Sequence, residues 1–197
     1  MRRQPGFLVV LIVSAATSLL QGCIPLAATG IGAAALMVDD RRSTGVYVED
    51  ENIEWKARGR LVERFKDTHV NVTSFNLTVL LTGEVPAEQM RTEVADAIRA
   101  IPSVKNVVNE LVIGGNTAYT ARANDGLITT NVKTRFINNG KFSINHVKVV
   151  TESGTAFLMG IVTRDEADAA TELARTTAGV SRVVKVFEYI ENTGKRQ

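Results

Sequence analysis

Apolar and polar positions follow two periods along this chain, and the same succession of periods occurs twice. Ile53, Ala57 and Leu61 recur at i, i+4 and i+8, and Ile128, Val132 and Phe136 repeat that spacing, which is one face of a helix. Each helix is followed by strand-like alternation: Val70-Asn71-Val72 and then Val79 to Gly83 in the first copy, Val147-Lys148-Val149 and then Ala156 to Gly160 in the second. Glu152-Ser153-Gly154-Thr155 predicts a tight hairpin turn, since glycine takes a positive φ at no steric cost. Asn76-Leu77 stands there in the first copy and predicts a different or strained turn. Gly83 and Gly160 match in position and would let the following helix approach closely. A second helix opens at Pro86, turns Val94, Ile98 and Ile101 inward, and stops at Pro102. Its counterpart spans Arg164 to Thr177, with Ala170, Leu173 and Ala174 inward and Gly179 as its end. A branched strand closes each copy, Val104 to Ile113 and Val180 to Ile190. The unit is helix-strand-strand-helix-strand, with an antiparallel hairpin and a third strand paired in parallel across a helical crossover. The fold class is α+β: two such domains, each a small mixed three-stranded sheet covered by two helices on one face.

Ahead of the repeat, Met1-Arg2-Arg3 and the uncharged run Phe7 to Leu20 have the anatomy of a cleaved export signal. The run is too short to cross a hydrocarbon core of about 30 Å. Leu20-Gln21-Gly22-Cys23 resembles a bacterial lipobox, which implies cleavage before Cys23 and acylation of that residue, the lone cysteine of the chain. Several acyl chains on one residue give lasting attachment where one does not. The expected organisation is a signal peptide at 1–22, a lipidated tether at 23–45, domains at 46–115 and 116–191, and a polar tail at 192–197. Ile24 is not the aspartate that retains many lipoproteins at the inner membrane, so the sorting rule implies an outer-membrane location, with the domains facing the periplasm.

Charge changes the picture little overall and more in its distribution. Without Arg2 and Arg3 the chain has 21 basic and 21 acidic side chains. Residues 46–112 carry 8 basic against 11 acidic and residues 113–197 carry 11 against 8, so the second half is the one an anionic surface would prefer. No catalytic set is legible. His69 and His146 fall at equivalent places before the first strand of each copy and share no metal-ligand spacing. Glu49-Asp50-Glu51 and Asp165, Glu166 and Asp168 read as carboxylates at helix amino termini. There is no phosphate-binding glycine loop, and no basic stripe with interleaved aromatics to suggest nucleic acid. Neither a cofactor nor a metal is expected. Trp55 is expected to pack between the domains, with a lipid-facing position as the alternative.

Leu81-Thr82-Gly83 and Leu158-Met159-Gly160, with the closing motifs Val104-Lys105-Asn106-Val107-Val108 and Val180-Ser181-Arg182-Val183-Val184, resemble the BON domain of bacterial envelope proteins. Two such domains behind a lipobox resemble a family of Gram-negative outer-membrane lipoproteins that support envelope integrity and bind anionic phospholipid such as phosphatidylglycerol. The stretches Asn124-Asp125-x-x-Ile128-Thr129-Thr130 and Phe157 to Thr163 carry that resemblance most specifically. It implies lipid binding through the first helix of the second domain, at Leu127, Ile128, Thr130, Lys133, Thr134 and Ile137. Leu127 stands where the resembled proteins carry tryptophan. The residues themselves add a reason: with Ile128, Val132 and Phe136 in the core, Leu127 and Ile137 are left off the buried stripe beside Lys133. Such a set can dip into the acyl boundary while the ammonium stays among phosphates. The alternatives are that Leu127 caps the core and Ile137 covers a domain interface, or that the domains form a scaffold for an envelope assembly protein.

Overall fold

A computed structural model describes residues 39–66 and 68–191. The leader, Cys23, most of the tether and the tail at 192–197 lie outside them. From Asp39 onward the chain forms one compact unit. Its elements are α1 (Thr44–Arg64), β1 (His69–Phe75), β2 (Thr78–Val85), α2 (Glu88–Arg99), β3 (Asn106–Asn109), β4 (Val112–Ile113), α3 (Tyr119–Ile137), β5 (Val147–Glu152), β6 (Thr155–Val162), α4 (Arg164–Arg175) and β7 (Arg182–Tyr189), with a short 3-10 turn at Ile144–His146. The order αββαβ therefore occurs twice.

Each hairpin is antiparallel, Val72 opposite Leu81 and Val149 opposite Leu158. The last strand of each repeat joins its hairpin in parallel, continuously as β7 in the second repeat and in two pieces, β3 and β4, in the first. The expected strand Val104 to Ile113 is broken where Leu111 turns into the core and the Asn109 carboxamide takes over, accepting from Leu111 N and donating to Arg91 O.

Ile53, Ala57 and Leu61 pack on Val72, Val79, Leu81 and the α2 residues Val94 and Ile98. Ile128, Val132 and Phe136 do the same with Val147, Val149, Leu158 and the α4 alanines. The helix starts differ in chemistry. Ser43 caps α1 by accepting from Val46 N, and Thr163 and Glu166 form a reciprocal capping box on α4. Pro86 lies just before the cap residue Ala87 of α2 rather than in its first turn.

The other face of each sheet is not open. Phe75 and Leu80 of the first repeat pack on Phe157 and Met159 of the second, with Val108, Val150, Ile161, Val184 and Val186 around them. The two sheets thus lie face to face with a helix layer outside each. This explains why β2 and β6 are apolar at consecutive positions, because strands buried on both faces lose the polar half of their alternation. Polar pairs bind the seam: Lys148 Nζ reaches Glu54 Oε1 at 2.9 Å, and Asn76 Nδ2 donates to Glu188 at 2.8 Å. The last residues expected in the tether are also packed down, since α1 begins at Thr44 and Arg41 donates to Glu166 at 2.6 and 2.9 Å and to Ile161 O.

Gly83 and Gly160 serve strand pairing rather than helix approach. A Cβ at Gly83 would lie 1.9 Å from His69 O, and one at Gly160 would lie 2.4 Å from His146 O. Both positions need a missing side chain so that the opening carbonyl of the antiparallel partner can sit there. Asp50, expected at a helix amino terminus, lies well inside α1 and is buried. Its carboxylate accepts from Asn76 N and Leu77 N in the β1–β2 turn. Asp125 does the same for Ser153 N and Gly154 N.

Candidate functional site

The face of α3 turned away from the sheet follows from the same period that buries Ile128, Val132 and Phe136. Tyr119, Ala123, Leu127, Thr130, Thr134 and Ile137 fall on one stripe of this helix, all exposed. The stripe is about 27 Å long at 1.5 Å per residue. Its large members stand clear of the protein: Tyr119 is 85% exposed, and Leu127 and Ile137 are 65% exposed each. Neither Leu127 nor Ile137 is covered by the other repeat, so the capping and interface alternatives do not describe them. The hydroxyls of Thr130 and Thr134 donate to Gly126 O and Thr130 O, both at 2.9 Å, and are spent within the helix.

Ile128 does not belong to this surface. It is 4% exposed, and its Cγ1 and Cδ1 occupy the space a Cβ at Gly179 would need. Of the expected residues, Leu127, Thr130, Lys133, Thr134 and Ile137 stay together on the outside, and Ile128 supports them from below. Tyr119 was missed because the periodic signal begins only at Ile128, leaving the first turns of the helix unmarked.

The electrostatics of the stripe are one-sided. Lys133 is exposed and, among the described residues, has no ion-pair partner. The Arg122 guanidinium lies over the Tyr119 ring, 5.1 Å from its centroid, in the manner of a cation–π pair. Asp125 is the one carboxylate of the helix, and it is buried in the turn clamp. At its far end the stripe meets a depression lined by Ile137, Gly140, Lys141 and Phe142 together with Asp39 and Glu166. An apolar strip flanked by cations, on a helix whose one carboxylate is buried, can enter an anionic lipid surface without desolvating a like charge of its own.

Trp55 is not between the domains. It is 75% exposed on the outer face of α1, in line with Val48 and Val62 at i−7 and i+7. The histidines share a sequence position but not an environment. His69 Nδ1 lies 2.8 Å from Glu84 Oε2 in the seam between sheets. His146 Nδ1 lies 3.5 Å from Glu166 Oε1 without hydrogen-bond geometry. Among the described residues no helix is long and apolar enough to cross a membrane.

The BON domain family model matches residues 49–115 and 124–191. Over 183 residues the chain is 33% identical to the outer membrane lipoprotein DolP of Haemophilus influenzae, covering 91% of this chain and 95% of that protein. It is 32% identical over 155 residues to the 21 kDa hemolysin of Actinobacillus pleuropneumoniae, covering 77% and 80%. Osmotically-inducible protein Y of Escherichia coli is 25% identical over 144 residues, covering 71% and 72%.

Proposed function

The chain belongs to the BON-domain family, as an outer-membrane lipoprotein of the DolP type, and from that premise we propose that its second repeat binds anionic phospholipid through the outer face of α3. Acylated Cys23 holds the protein at the membrane, and α3 supplies the lipid choice. The family match indicates no catalytic family, and the protein acts by binding, in support of outer-membrane integrity. The observation that carries this reading is the exposed stripe of Tyr119, Leu127 and Ile137, flanked by Lys133 and Arg122 on a helix whose one carboxylate is buried. Tyr119 supplies an interfacial aromatic on a helix whose Leu127 replaces the family's tryptophan. A weak site is enough, because the anchor keeps its effective concentration high.

The test is flotation of the unacylated unit from Asp39 onward with vesicles. Wild type floats with phosphatidylglycerol and less as salt rises. Leu127→Glu with Ile137→Glu lowers partition about tenfold or more, since each apolar side chain contributes roughly 1.5–3 kcal/mol when buried. Equal flotation of wild type and double variant, or none on anionic vesicles, rejects the site.

One observation favours a second reading, a protein-binding scaffold: the exposed Val48–Trp55–Val62 line on α1. The sheet faces are already used against each other, so this line and the strand edges are what a partner would meet. Loss of partner capture in Trp55→Ala with unchanged flotation would assign docking to α1.

A further inference from the structure

The seam between the two sheets is apolar at its centre and polar at one end. His69 opens β1, Glu84 is its cross-strand partner on β2, and Glu152 closes β5 of the other repeat. Their donor atoms all lie within 4.8 Å of one another. His69 Nδ1 is 2.8 Å from Glu84 Oε2 and 3.9 Å from Glu152 Oε1, and the three side chains are 11%, 5% and 9% exposed. Among the described residues neither glutamate has a lysine or arginine at ion-pair distance. Among the described residues Asp40, Asp50, Glu54 and Glu166, also largely buried, each face an arginine or a lysine. Glu84 is fixed by bonds from Thr117 N and Oγ1 and by its contact with His69 Nδ1. Two carboxylates thus share one imidazole in a site largely closed to water, an imbalance a divalent cation would relieve.

From this arrangement we propose that His69, Glu84 and Glu152 bind one divalent transition-metal cation of the zinc type across the seam between the repeats. One imidazole nitrogen and two carboxylate oxygens suit zinc, and a water completes a tetrahedron. With bonds of about 2.0–2.1 Å, tetrahedral donors stand about 3.3 Å apart. The observed 2.8 and 3.9 Å separations bracket that value, so small side-chain shifts close the site. Binding displaces the Nδ1 proton and leaves an N–H at Nε2. Asn71 Nδ2 lies 3.2 Å from Nε2 and donates to Glu152 Oε2 at 2.8 Å, which orients the third ligand. Thr117 N orients Glu84 at 3.1 Å, and Thr82 Oγ1 lies 3.4 Å from Glu152. Because two ligands come from one repeat and the third from the other, the ion would fasten the docking of the sheets.

The experiment takes the unit from Asp39 onward, strips it with a chelator and titrates it with Zn²⁺ alone, read by native mass spectrometry and by thermal unfolding. Wild type takes up one ion per chain and its Tm rises with Zn²⁺ concentration. Glu152→Gln and His69→Gln each weaken uptake by about 100-fold or more and abolish the Tm shift. X-ray absorption of the loaded wild type shows an oxygen and nitrogen shell containing one imidazole, a readout that stands even if a variant fails to fold. No uptake by wild type, equal uptake by both folded variants, or a shell without imidazole overturns the proposal.

Discussion

Asp50 in the first repeat and Asp125 in the second clamp equivalent hairpin turns with unequal grips. Asp50 accepts from Asn76 N, Leu77 N and Ser74 Oγ and faces Arg42 at 2.9 Å, whereas Asp125 accepts from Ser153 N and Gly154 N. The turns explain the inequality. Leu77 sits at φ 67 and Gly154 at φ 71. A left-handed conformation costs a residue with a Cβ roughly 1–2 kcal/mol and glycine far less. The first repeat therefore holds by added hydrogen bonds and a buried cation the turn that the second obtains from glycine. Outside the shared scaffold the repeats diverge in the same local way: α1 carries Trp55 and an ion-paired Arg58, while α3 carries Leu127, Ile137 and a Lys133 that has no ion-pair partner among the described residues.

The strand glycines offer the sharpest way to break the comparison. Gly83→Ala and Gly160→Ala should each cost about 4 kcal/mol or more by urea unfolding, with Gly83→Ala the worse because its φ of 109° is also closed to a side chain. Next in size, Asp50→Ala should cost about 3–5 kcal/mol and Asp125→Ala about 2–3 kcal/mol, since only the first also leaves Ser74 Oγ without its acceptor and strips the buried Arg42 of one of its two carboxylates, Asp40 being the other. Equal losses would show that Arg42 and Ser74 add nothing to the grip.

Acid should find the second repeat through Glu166. Burial would raise its pKa, but the Arg41 guanidinium and Thr163 N hold it down from 4.5 to about 2. A lowered folded value means that the stabilisation is complete above pH 4.5 and drains away as pH falls toward about 2. Arg41→Gln should flatten that limb of the stability curve. The smallest effect belongs to Trp55→Ala, expected within about 0.5 kcal/mol of wild type because the ring is exposed.

The repeat was legible because a helix face and a strand pair are local, so Ile53, Ala57, Leu61 and their counterparts Ile128, Val132 and Phe136 announce themselves by spacing alone. Contacts made across the chain did not. Asp50 looks like any acidic residue near a helix start until the turn at Asn76 folds back on it. His69, Glu84 and Glu152 converge from three strands in two repeats, a grouping no ligand spacing could reveal. The docking of the sheets left one trace, the consecutive apolar residues Phe157, Leu158 and Met159, of which Leu158 faces the helices and the other two face the opposite sheet. Within the surface proposed to face lipid, Leu127 and Ile137 could be found by subtraction from the buried stripe. Tyr119 could not, because its turn of helix buries nothing apolar.

The unit from Asp39 onward lacks Cys23, the one cysteine of the chain, so nitroxide labels can be placed singly. Thr130→Cys on α3 and Lys56→Cys on α1 put one probe each on the exposed faces of the outer helices of the two repeats, and power-saturation electron paramagnetic resonance with phosphatidylglycerol vesicles reads their depth. A label at Thr130→Cys that becomes open to oxygen and closed to an aqueous relaxant, while the label at Lys56→Cys stays in water, is the predicted result. Equal depth for the two labels, or immersion of the α1 label alone, contradicts lipid recognition by α3.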